Sequence, residues 1–110
     1  MERFVKGDVV VLLFPFSDLS ASKKRPALVV ANLDGDDFIL CQITSENRSD
    51  NYSITLNEGD FKYGKLNVVS IIRPNKLFTA NKSIIQYKAC SVNDRKIKET
   101  EEKLVKILRS

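Results

Sequence analysis

The chain has 110 residues, 43% apolar and 29% charged, the balance of one soluble domain large enough to bury its own core. No apolar run nears the roughly 20 residues of a membrane helix, which argues against a membrane-spanning class. The net charge is +4 with no histidine, which excludes imidazole acid–base chemistry, histidine triads and histidine metal ligands.

The opening Met1-Glu2-Arg3 leads straight into a strand pattern, so no signal peptide is expected and the expected location is cytoplasmic. Asp8 to Phe16 is valine-rich and nearly continuously apolar, a buried strand that Pro15 should end. Ser17 to Lys24 reads as a polar loop closing on the cations Lys23, Lys24 and Arg25. Pro26 to Ala31 is a second buried strand, and NLDGDD (Asn32 to Asp37) a hairpin turn into a third, Phe38 to Thr44. Ser45 to Asn51 is a polar loop, and Tyr52 to Leu56 alternates as a short strand. Asn57 to Asn67 reads as loop with at most a turn of helix. Val68 to Arg73 is a strand ended by Pro74; Lys76 to Thr79 and Ile84 to Ser91 are short strands.

From Asp94 the period changes. Ile97, Thr100, Leu104, Ile107 and Leu108 fall on one helical face, with Ser91 or Asn93 as N-cap and a Glu99–Lys103 pair at i,i+4. Many short strands followed by one long helix predict a mainly β fold: a small, strongly bent sheet or barrel with the helix packed on it. Cys41 and Cys90 both lie in strand-like runs and read as buried reduced thiols; no metal and no cofactor is expected.

The charge is uneven. Ala31 to Asp60 holds seven acids against Arg48, whereas Phe61 to Cys90 holds Lys62, Lys65, Arg73, Lys76, Lys82 and Lys88 with no acid. A basic half either invites a polyanion or merely solvates strand faces. Arg25 is the sharper feature, because a guanidinium stays protonated and its planar fork matches two phosphate oxygens. If the second and third strands pair through NLDGDD, Pro26 and Thr44 each lie nine residues from Gly35, so Arg25 should neighbour Thr44 and Ser45. A guanidinium beside two hydroxyls makes an oxyanion site. An arginine at a strand end and a threonine favoured by β geometry would look the same.

Several segments, in order, resemble the MazF/PemK family of toxins from type II toxin–antitoxin systems. They are Gly7-Asp8-Val9-Val10, Phe14-Pro15-Phe16-Ser17-Asp18, Lys24-Arg25-Pro26-Ala27-Leu28-Val29-Val30, Gln42-Ile43-Thr44-Ser45, and Ser70-Ile71-Ile72-Arg73-Pro74-Asn75-Lys76-Leu77-Phe78-Thr79. With the C-terminal helix they span essentially the whole chain. The resemblance implies an SH3-like β-barrel with a long C-terminal helix, acting as a homodimer. It also implies a metal-independent, sequence-selective endoribonuclease acting on single-stranded RNA. In that reaction the ribose 2′-OH attacks its own 3′-phosphate, leaving a 2′,3′-cyclic phosphate and a 5′-OH.

On the same resemblance Arg25 and Thr44 are the catalytic pair, the first neutralising the phosphorane and the second holding the phosphate. Lys23, Lys24, Phe16, Ser17, Ser45 and Arg73 are RNA-binding candidates. Phe16 would stack on a base or pack in a core or dimer interface, and Arg73 would meet RNA or pair with a nearby carboxylate. Some relatives use an aspartate and a histidine. This chain has Asn75 near where that aspartate is sought and no histidine, so Asp18, Lys24 and Glu46 are the candidates for proton transfer. The implied partners are RNA, a small cognate antitoxin, a second copy and, through the toxin–antitoxin complex, operator DNA. Two readings of another class share the fold: a non-cleaving toxin that acts on DNA gyrase, and a catalytically silent RNA-binding relative.

Overall fold

A computed structural model describes residues 3–14, 23–46 and 50–110. Among the described residues seven strands run β1 (Asp8–Phe14), β2 (Lys23–Asn32), β3 (Asp37–Thr44), β4 (Ile54–Leu56), β5 (Phe61–Tyr63), β6 (Ser70–Asn81) and β7 (Ile85–Val92). The helix α1 (Asp94–Leu108) follows. All pairings are antiparallel, in the order β4-β6-β3-β2-β1-β7-β5. This is the expected mainly β fold, a curled half-barrel sheet with one C-terminal helix. No helix among the described residues is long and apolar enough to cross a membrane.

The strands are apolar on both faces because the curled sheet has a core on each. Val10, Leu12, Ala27, Val29, Phe38, Leu40, Ala80 and Ile85 form one core, closed by Phe4, which meets Phe38 edge-on at 6.0 Å between ring centres. Val9, Leu28, Cys41, Ile43, Ile54, Leu56, Ile72, Cys90 and Val92 form the other, with Ile97 and Leu104 of α1 packed against it. Cys41 and Cys90 are free and buried, as expected.

The hairpin forms where Asp34-Gly35 predicts it, Gly35 taking φ +80 between β2 and β3. Other boundaries differ from expectation. β2 begins at Lys23, three residues before Pro26, because its partner β1 extends to Phe14 and pairs with it throughout. Pro26 is tolerated inside the strand since β3 pairs with β2 only as far as Ala27.

Likewise, Pro74 does not end a strand. β6 runs through it, and the ladder to β3 passes from Gln42–Arg73 to Cys41–Leu77, leaving Pro74, Asn75 and Lys76 in a bulge that needs no N–H from proline. Phe61–Tyr63, expected as loop, is a strand because β7 offers it an edge.

The helix starts as expected. Asn93 caps it, its side-chain oxygen accepting from Lys96 N at 2.9 Å. Its buried face differs from the apolar pattern. Thr100 is fully buried on the expected face, but Leu108 is exposed and Lys96 is buried in its stead. Glu99 bonds Lys96 rather than Lys103, whose ammonium donates to the Asn51 carbonyl instead.

Candidate active site

The β2–β3 ladder sets how Arg25 stands relative to Thr44. Ala27 pairs with Gln42, and two residues further along each strand stand Arg25 and Thr44. The hairpin count from Gly35 misses this register by one residue, which is the shift in the ladder between Val29 and Ala31. On its far side β3 pairs with β6, Gln42 with Arg73 and Thr44 with Ile71. Directly paired residues share a face, and so do residues two apart on one strand. Arg25, Thr44 and Arg73 therefore emerge on one face of three adjacent strands. Two strand spacings across and two residues along, about 12 Å in all, separate the outer pair at the backbone.

That face is the one carrying the first core. Leu12, paired with Arg25, and Ala27 both belong to it. The cations thus sit at the rim where an apolar layer gives way to polar residues. Arg25 is half-buried, while Thr44 and Arg73 are buried at 8% and 9% exposure. Thr44 Oγ1 accepts from Glu46 N at 3.1 Å, which fixes the hydroxyl and leaves its proton to be donated. Arg73 stands 3.8 Å from Asp50 Oδ2, so the expectation of a nearby carboxylate partner is met.

Of the other expected residues, Lys24 is exposed on β2 and Ser45 exposed just beyond β3. Lys23 opens β2 opposite Phe14. Glu46 is exposed two residues from Thr44. Phe16, Ser17 and Asp18 lie outside the described residues. Asn75 projects from the β6 bulge. Among the described residues no cluster of acidic or cysteine side chains could hold a metal ion. The residue that sequence reasoning missed is Asp50. Its signal was the Asp-Asn-Tyr-Ser run, in which an aspartate can cap its own turn.

Residues 5–108 match the model of one family, described as the PemK-like, MazF-like toxin of type II toxin–antitoxin systems. No curated protein sequence matches the chain. Among solved structures it is similar to an endoribonuclease in complex with its cognate antitoxin from a mycobacterial species. That likeness has 14% identity and TM-score 0.77, covering 96% of this chain and 95% of that one. A second mycobacterial endoribonuclease is 16% identical, with TM-score 0.74 over 98% and 93% of the two chains. MazF from Deinococcus radiodurans is 19% identical, with TM-score 0.68 over 96% of each. At such identities the likeness to each structure is one of fold. The family match is one of sequence and spans nearly every residue, from before β1 to the last turn of α1: the chain belongs to the PemK-like, MazF-like toxins of type II toxin–antitoxin systems.

Proposed function

We propose that the protein is an endoribonuclease that cleaves single-stranded RNA by attack of a ribose 2′-OH on the adjacent 3′-phosphate. The observation that carries this reading is the placement of Arg25 and Thr44 at adjoining strand ends, on the face that also bears Arg73. The structures it resembles include endoribonucleases, one with an antitoxin bound, which supports the same reading.

In the reaction the 2′-oxygen bonds to phosphorus, its proton leaves to a base, and the bond to the 5′-oxygen breaks as that oxygen is protonated. The products are a 2′,3′-cyclic phosphate and a 5′-OH. Arg25 faces the equatorial oxygens and neutralises the charge that grows on them, with a guanidinium in place of a bound cation. The Thr44 hydroxyl, held by the Glu46 N–H, donates to a phosphate oxygen and sets the in-line geometry. Arg73 binds a neighbouring phosphate, Ser45 extends the contact just beyond β3, and Lys24, on the other face of β2, adds only long-range positive charge. Glu46, two residues beyond Thr44 along the chain, is the titratable group to which we assign proton transfer, taking the 2′ proton and returning it to the 5′-oxygen.

A small antitoxin with an acidic, partly disordered segment suits the same basic face, folding as it binds. A second copy of the chain is assigned as partner, since Val68 and Val69 present apolar side chains at 61% and 77% exposure.

The test is incubation of purified protein with RNAs of varied sequence in EDTA, with end-group analysis. Cleavage leaving cyclic phosphate, lost in Arg25→Ala, is the expected result. No cleavage by wild type, or undiminished cleavage by the variant, refutes the assignment. Poisoning of DNA gyrase without RNA cleavage would select the binding-toxin alternative.

A further inference from the structure

Arg73 is a buried cation whose hydrogen bonds are not filled. At 9% exposure its guanidinium has five donors to place, yet Nε meets no acceptor. Among the described residues its ion pair is with Asp50, and the Nη2 to Oδ2 separation of 3.8 Å balances charge without making a hydrogen bond.

Asp50 cannot close that gap, because its carboxylate is already held by its own turn. Oδ1 accepts from Tyr52 N at 2.9 Å, Ser53 N at 2.8 Å and Ser53 Oγ at 2.8 Å. The bond from the Tyr52 N–H, then those from Ser53, hold this carboxyl below its ordinary value, and the Arg73 charge adds to them. The next residue is pinned too, Asn51 O accepting from Lys103 Nζ of α1 at 3.1 Å.

We propose that Asp50 is a built-in counter-anion, held off from Arg73 by its own turn, and that an incoming phosphate competes with it for the guanidinium. Asp50 is then a positioning residue that sets phosphate affinity at the site. It keeps a buried charge from standing alone in the free protein. It also repels any anion too weakly held to displace it from the guanidinium. The proposal deepens the functional reading above and rests on it for the identity of the anion as an RNA phosphate.

The test uses the full chain and Asp50→Asn, which keeps a side-chain oxygen to accept the turn's N–H groups while removing the charge. Asp50→Ser, with a smaller turn-capping oxygen, repeats it should the first variant fold poorly. Inorganic phosphate is titrated while the Arg73 Nε–H resonance is followed by NMR. The expected result is roughly two- to fivefold tighter phosphate in the variant, the scale of one partly exposed ion pair. Arg73→Gln should abolish the difference. A second arm measures binding of an RNA oligonucleotide, blocked at the 2′ positions, against salt. The expected change is a gain in affinity of the same two- to fivefold size at low salt, since Arg73 meets one phosphate in both proteins and only the competing carboxylate is lost. Equal or weaker phosphate binding in the variant overturns the proposal whatever RNA does. Failure of wild type to bind RNA overturns the functional reading, and the phosphate arm still decides this one.

Discussion

The ammonium of Lys96 lies 3.3 Å from Asp60 Oδ2, and both side chains are buried, at 6% residue exposure each. The pair stands where the curled sheet fails to close. β4 is one end of the strand order and β5 the other. Lys96 donates to the Thr55 carbonyl on β4 at 3.0 Å, while Asp60 ends the 3-10 turn Glu58–Asp60 that leads into β5. Asp60 also accepts from Asn57 N at 2.7 Å, and Glu99 completes the ammonium's bonds at 2.8 Å.

Removing one member of this network should therefore break the buried part of the pairing, leaving Lys96 only the half-exposed Glu99 or Asp60 only the exposed Arg95 at 3.9 Å. Lys96→Met or Asp60→Asn is expected to lower unfolding free energy by about 3 kcal/mol, read from urea midpoints. A double-mutant cycle should show strong coupling. A loss under 0.5 kcal/mol for either single variant would contradict the role.

At Gly7 the chain passes close against the helix. Its φ is +99, and a Cβ built there would lie 2.6 Å from Ile97 Cδ1. Its backbone also bridges β2 and β7, donating to Val29 O and accepting from Val92 N, both at 2.9 Å. Gly7→Ala thus meets both strain and overlap, and should cost about 1–3 kcal/mol of stability. Ile97→Val in the same chain should recover part of it. No recovery in thermal unfolding would place the cost in the backbone conformation alone.

The catalytic assignment separates charge from geometry. Arg25→Lys keeps a cation but loses the planar fork, and is expected to retain a small residue of activity. Thr44→Val keeps the shape and removes the hydroxyl, so RNA cleavage should fall by about 10²-fold or more with little change in stability. Thr44→Ser should restore most of it. Single-turnover cleavage of one oligonucleotide across the three variants checks the order.

Burial pushes the Cys41 thiol up from 9.0 to about 12, and Cys90 to about 11 with help from the Asp8 charge. A raised thiol value means that the folded state holds its proton after the unfolded chain has lost it. The two thiols thus contribute stability that is whole below about pH 9 and is lost as pH climbs toward 11 and 12. Unfolding free energy should fall across that window, less steeply in Cys41→Ala/Cys90→Ala. In the native protein near pH 8 neither should react with a thiol reagent until urea unfolds the chain.

Local physics sufficed for much of this protein. Apolar runs in β1 to β3, Asp34-Gly35 between strands and the change of period at Asp94 are decided by neighbouring residues, so they were legible in the sequence. Arg25, Thr44 and Arg73 could be named from their chemistry and from the order of their motifs. Tertiary structure decided the rest. Pro74 and Phe61–Tyr63 were misread because a bulge or an edge partner lies far away in sequence. That Arg25, Thr44 and Arg73 share a face depends on strand registers, which no single segment encodes. Lys96 and Asp50 showed nothing unusual among many charged residues. Only the fold buries one ammonium at an open seam and sets one carboxylate just short of a guanidinium whose Nε has no acceptor.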